Sequence, residues 1–166
     1  LTREVTLQNP VKPIPENFHS VTADLVCRNA AQAIDFYKAV FGATEIVRMP
    51  GPDGKIMHAV LKIGDSRIFV NDTMGNSTPS SPGPGISNPI YLHVHVANVG
   101  AIFNRAVENG ARVDTPVQDM FWGDRYGKFT DPFGQQWAVA THKEDVAPED
   151  LKRRQDAFFA KAAGQH

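Results

Sequence analysis
A strand, a helix and three further strands follow one another twice along this chain, and a tandem unit of that kind restricts the fold to two copies packed around a shared core. In the first copy, residues 21–27 alternate as a strand, with Thr22, Asp24 and Val26 on one face and Ala23, Leu25 and Cys27 on the other. Asn29 is placed to cap a helix in which Ala33, Ile34, Tyr37, Val40 and Phe41 recur at helical spacing, and Gly42 ends it. Strands are expected over 43–49, 56–63 and 67–71, divided by the cluster Pro50-Gly51-Pro52-Asp53-Gly54 and by Gly64-Asp65. The second copy opens with a strand over 90–96. A helix over 99–108 follows, with Val99, Ile102, Phe103, Ala106 and Val107 as its apolar stripe and Asn109-Gly110 as its stop. Residues 112–114 and the stretch 121–142 supply the remaining strands.

That last stretch carries the sharpest local signal. In Asp131-Pro132-Phe133-Gly134 the proline presets φ and the glycine admits positive φ, so the chain reverses into a strand over 137–141. If Trp137, Val139 and Thr141 face the helix layer, Gln136, Ala138, Ala140 and His142 face the other way. The resulting organisation is an N-terminal extended arm (1–20), a first unit (21–72), a linker rich in Gly, Pro and Ser (73–89), a second unit (90–143) and a helical tail (144–166), in which Pro148-Glu149-Asp150 begins a helix.

Bulk properties exclude several classes. A 166-residue chain with 42% hydrophobic residues supports a core, and a formal charge of −1 without a basic stripe removes the electrostatic case for nucleic acid. Apolar runs are strand-sized, far from the roughly 20 residues needed to span a bilayer, and residues 1–8 lack a signal-like apolar run, so a cytoplasmic protein is expected. Cys27 is the single cysteine and is expected to pack as a small hydrophobe. Phosphate-loop, Gly-x-Ser-x-Gly and Cys-x-x-Cys patterns are absent from the sequence.

The repeated unit, together with Ile34-Asp35-Phe36-Tyr37 in the first helix and Asp131-Pro132-Phe133-Gly134 before Trp137, resembles the vicinal oxygen chelate superfamily, which includes glyoxalase I, bleomycin-resistance proteins and extradiol dioxygenases. Residues 11–15, 121–125 and 141–146 resemble its PhnB-like branch. The resemblance implies an α+β fold of two tandem βαβββ modules forming cupped mixed sheets, a homodimer, and a small organic molecule as partner. It also implies metal ligands, His and Glu in the family's metal enzymes, at the positions occupied here by Thr22, Phe69, Tyr91 and Ala138. None of these is a good divalent-metal ligand, so the usual metal centre is not expected and no cofactor is predicted.

His93 and His95 leave the same strand face as Tyr91 and form the strongest polar constellation. With Asp24, His58 or Asn71 from neighbouring strands they are candidates for a displaced metal site, a proton-transfer site or a hydrogen-bonding wall; histidines bonded near a dimer surface are the structural alternative. Phe69, Trp122 and Arg125 complete the candidate ligand-binding set, the aromatics for stacking and the guanidinium for an anion; Trp122 at a sheet edge and Asp124 and Arg125 paired with neighbours are the plainer alternative. Lys62 and Arg67 are weaker candidates for attracting an anion. The expected function is binding of a small organic molecule in the cupped cavity. The alternatives are a metal-dependent lyase or dioxygenase using ligands such as His58, His93 and Asp24, and a non-catalytic interaction protein.

Overall fold
The computed structural model describes residues 11–75 and 88–164. The first unit runs β1 (Ala23–Cys27), α1 (Ala30–Phe41), β2 (Thr44–Pro50), a 3-10 turn (Pro52–Gly54), β3 (Ile56–Ile63) and β4 (Ser66–Asp72). The second runs β5 (Tyr91–His95), α2 (Val99–Glu108), β6 (Arg112–Asp119), β7 (Asp124–Thr130) and β8 (Gln136–His142), and α3 (Pro148–Ala163) closes the chain. Each unit forms a four-stranded sheet, in the orders β1-β4-β3-β2 and β5-β8-β7-β6. Both sheets are mixed, because β1 pairs parallel to β4 and β5 parallel to β8 while the remaining pairs are antiparallel. This is the expected α+β arrangement of two βαβββ modules with a C-terminal helix.

The two helices are bounded by the same chemistry. Asn29 Oδ1 accepts from the Gln32 N–H at 3.1 Å and Asn98 Oδ1 from the Ala101 N–H at 3.0 Å, each satisfying one of the free donors of a first turn. Gly42 ends α1 at φ 66°, a conformation that favours glycine. The apolar stripes differ from expectation at two places. Val107 is exposed, whereas Phe36, on no predicted stripe, is buried because its ring meets Phe133 of the second unit edge-on at 6.2 Å.

Packing between the units makes the core. Trp137 is 1% exposed and lies against Tyr37 and Phe41 of α1 at ring distances of 5.2 and 4.7 Å, so α1 serves the sheet of the second unit as well as its own. Phe41 stacks on Phe129, which in turn meets Phe103 of α2. Truncating a ring of this kind to alanine costs about 3–5 kcal/mol through lost transfer energy and the cavity left behind. Cys27 is fully buried here, and burial, with Asp131 adding to it, pushes its thiol up to about 12.

Strand β6 is longer than the predicted 112–114. It reaches Asp119 through Pro116, which an edge strand tolerates, and its register shifts between Val113 and Thr115 and again between Thr115 and Gln118. Residues 11–20 of the N-terminal arm contain neither strand nor helix, while the rest of the arm, residues 76–87 of the linker and the last two residues of the tail lie outside the described residues. Helix α3 starts at Pro148 with Glu149 and Asp150 in its first turn and buries no residue; Phe158 meets Phe121 at 5.3 Å, and Arg154 grips Glu144 through two hydrogen bonds. Among the described residues no helix is long and apolar enough to cross a membrane.

Candidate functional site
Alternation along β5 sends Leu92 and Val94 toward the core and Tyr91, His93 and His95 to the opposite face of the sheet. The register sets His93 beside Ala138 and His95 beside Ala140 of β8, and on the far side of β8 sets Lys128, Tyr126 and Asp124 beside Ala138, Ala140 and His142. Ala138 and Ala140 are fully buried although they lie on this outer face. Larger side chains of β5 and β7 lean over them: Lys128 Nζ sits 4.4 Å from the Tyr91 ring centroid, and the His93 ring lies 4.7 Å from that of His95 and 5.9 Å from that of Tyr126. Burial, followed by the neighbouring His95, moves the His93 imidazole below its ordinary range, with Asp124 pulling the other way.

Asp124 anchors one end of this face. Its carboxylate is 8% exposed; Oδ2 accepts the Trp122 indole N–H at 3.0 Å and Oδ1 meets His142 Nδ1 at 2.7 Å. His142 Nε2 lies 2.9 Å from Asp145, and the hydrogen bonds to Asp145 and Asp124 raise its affinity for a proton. The loop before Asp124 is held by Gly123, whose carbonyl accepts from the Lys143 and Glu144 N–H groups at 2.9 and 3.1 Å. Gly123 sits at φ 102°, and a Cβ there would meet the Glu144 carbonyl oxygen, so only glycine fits.

The sequence candidates fall into two groups. Asp24, His58, Phe69 and Asn71 share the first sheet, where Asn71 donates to Asp24 at 2.6 Å and the His58 and Phe69 rings meet at 4.7 Å. Phe18 covers Phe69 at a ring distance of 5.8 Å, and the Arg67 guanidinium lies over the Phe18 ring at 4.7 Å. Tyr91, His93 and His95 share the second sheet, and Trp122 lies in the turn before β7. Arg125 stands apart from both: it follows Asp124 on β7, so it points to the other face, where it pairs with Asp119 at 3.1 Å. Asp124, Tyr126 and His142, which join this face, lie outside the candidate ligand-binding set. Alternation along β8 carries the signal for His142, because it places this residue on the same face as the two alanines beside the histidine pair.

A cleft of about 810 Å³ opens between the two sheets, with Val21, Ala23 and Ile68 on one side, Leu92, Val94 and Val96 on the other, and Phe41 and Trp137 among its lining. Of the candidates, His93 and His95 border it; Arg67, Asp65 and Ser66 add polar groups.

The family model of the Glyoxalase/Bleomycin resistance protein/Dioxygenase superfamily matches residues 18–139. The chain belongs to this superfamily. An uncharacterized protein of Mycobacterium bovis is 40% identical to it over 139 residues, covering 80% of this chain and 90% of that protein. Among solved structures, TioX from Micromonospora sp. ML1 matches with a TM-score of 0.59 and 29% identity over 73% of this chain and 96% of that one. A PhnB protein from Bacillus cereus shares the fold, with a TM-score of 0.58 and 15% identity over 74% of this chain and 99% of that one.

Metal chemistry in the glyoxalase class needs donor atoms, and the four positions matched to its ligands do not fit a cation. Ala138 offers a methyl group beneath its neighbours, Phe69 a ring packed against His58 and Phe18, and Tyr91 a ring held under Lys128. Thr22 contributes at best a neutral hydroxyl, a weak donor beside imidazole or carboxylate.

Proposed function
We propose that this superfamily member binds a small organic molecule in the cleft between its sheets, without a metal at Thr22, Phe69, Tyr91 and Ala138. The cleft itself carries the reading: about 810 Å³ is the size of a small-ligand site, and most of its lining residues are aliphatic or aromatic. An apolar body lies between Ala23 and Val94, and a hydrogen-bonding end meets Ser66 at the rim. Homodimerisation belongs to the same proposal. Ile46, Met49 and Met57 at the outer part of the first sheet and Tyr91 on the second are 44%, 45%, 51% and 49% exposed, apolar surface that a second copy covers. A cytoplasmic location completes it.

The test uses anilinonaphthalene sulfonate, an amphipathic aromatic anion. The expected result is saturable fluorescence enhancement at one site per chain, accompanied by a rise in melting temperature through mass action. Ala23→Trp and Val94→Trp, which fill the cleft, abolish the signal while the far-ultraviolet spectrum stays native. Absence of saturable binding to the native chain, or equal binding by both filled variants, refutes the proposal.

A further inference from the structure
His93, His95 and Asp124 offer two imidazole nitrogens and a carboxylate oxygen that all lie within 4.8 Å of one another. We propose that they form a transition-metal site, displaced from the positions matched to the family's ligands and suited to a divalent cation such as zinc, cobalt, nickel or iron. The sheet register makes the convergence possible. The imidazoles rise from β5 and the carboxylate from β7, and the strand between them, β8, contributes only the methyl groups of Ala138 and Ala140 beneath the histidine pair.

Two further observations favour a cation there. Among the described residues neither imidazole of His93 or His95 makes a hydrogen bond to the protein, so their nitrogens are uncommitted, and both side chains are exposed and reachable from solvent. Asp124 is the reverse: buried, oriented on one oxygen by Trp122 and on the other by His142, and reached by no lysine or arginine ion pair among the described residues. Partners that fix its orientation are what a ligating carboxylate has around it. His142 is therefore a positioning residue that holds Asp124 from behind. The remaining coordination positions face away from the sheet, open to water or to the oxygen atoms of an organic ligand.

The inference does not rest on ligand binding in the cleft, and its assay contains no organic ligand, so either reading can fail alone. The full chain, free of a histidine tag and stripped with a chelator, is titrated with cobalt(II). The expected result is one saturable equivalent per chain with visible d–d absorption, displaced by zinc. His93→Ala and His95→Ala, changes at exposed positions, each lose that absorption, whereas His19→Ala and His58→Ala keep it. Asp124→Asn also loses it, and His142→Gln retains the bands with affinity lowered about tenfold or more. No saturable cobalt binding, or binding unchanged in the His93→Ala/His95→Ala double variant, overturns the proposal.

Discussion
The Tyr37 hydroxyl of the first unit donates to Asp131 Oδ2 of the second at 2.8 Å, and the same oxygen receives the Trp137 indole N–H at 3.0 Å. Asp131 Oδ1 accepts the Phe133 and Gln135 N–H groups, both at 2.9 Å, so one buried carboxylate shapes the turn and joins the units. Burial raises its proton affinity against these hydrogen bonds. Tyr37→Phe removes a hydrogen bond to a group of carboxylate type and is expected to cost about 1.5–3 kcal/mol. Denaturant unfolding measures this; a loss within error of zero would mean that the bond contributes nothing net.

Glu45 is held by Arg48 through two hydrogen bonds and by Lys38 at 2.7 Å, which together bring its carboxyl down to about 2. A depressed carboxylate stabilises the fold above its unfolded pKa, near 4.5, and that contribution disappears as pH falls through the folded value near 2. Because the pair is partly solvated, Glu45→Gln is expected to cost only about 1 kcal/mol at pH 7. Thermal melts of both proteins from pH 7 to 2 should therefore converge at the acid end; a pH-independent difference would assign the loss to packing instead.

A thiol that is fully buried and raised to about 12 has almost no thiolate at neutral pH. Cys27 should resist a disulfide-exchange reagent in the native protein and react at once in denaturant. Rapid labelling of the native protein would show that β1 opens locally.

Gly123→Ala places a Cβ against the Glu144 carbonyl at a positive φ, and should cost about 2 kcal/mol or more. Trp122 and Asp124 flank this residue, so the melting shift should come with a change in tryptophan fluorescence. Unchanged stability and fluorescence would show that residues 121–125 adjust without strain.

The sequence is legible wherever a single element decides the outcome. Asn29 and Gly42 bound the first helix as their chemistry requires, Asp131 to Gly134 turn the chain, and the parity of β8 follows from Trp137. Legibility fails where two elements must be known together. Phe36 is buried by a turn in the other unit, β6 continues past Pro116 because it is an edge, and Arg125 leaves the face that its neighbour Asp124 serves. The grouping of candidates is hidden for the same reason. Which of Asp24, His58, His93 and His95 come together depends on sheet order and register, and these place the first two on one sheet and the last two on the other.

The two alanines of β8 determine how deep the face above them is. Serine at either place would give it a floor able to donate hydrogen bonds, and valine would raise that floor and push the histidine rings apart. The shape of that face is therefore set from the middle of β8, by changes no larger than a hydroxyl or two methyl groups.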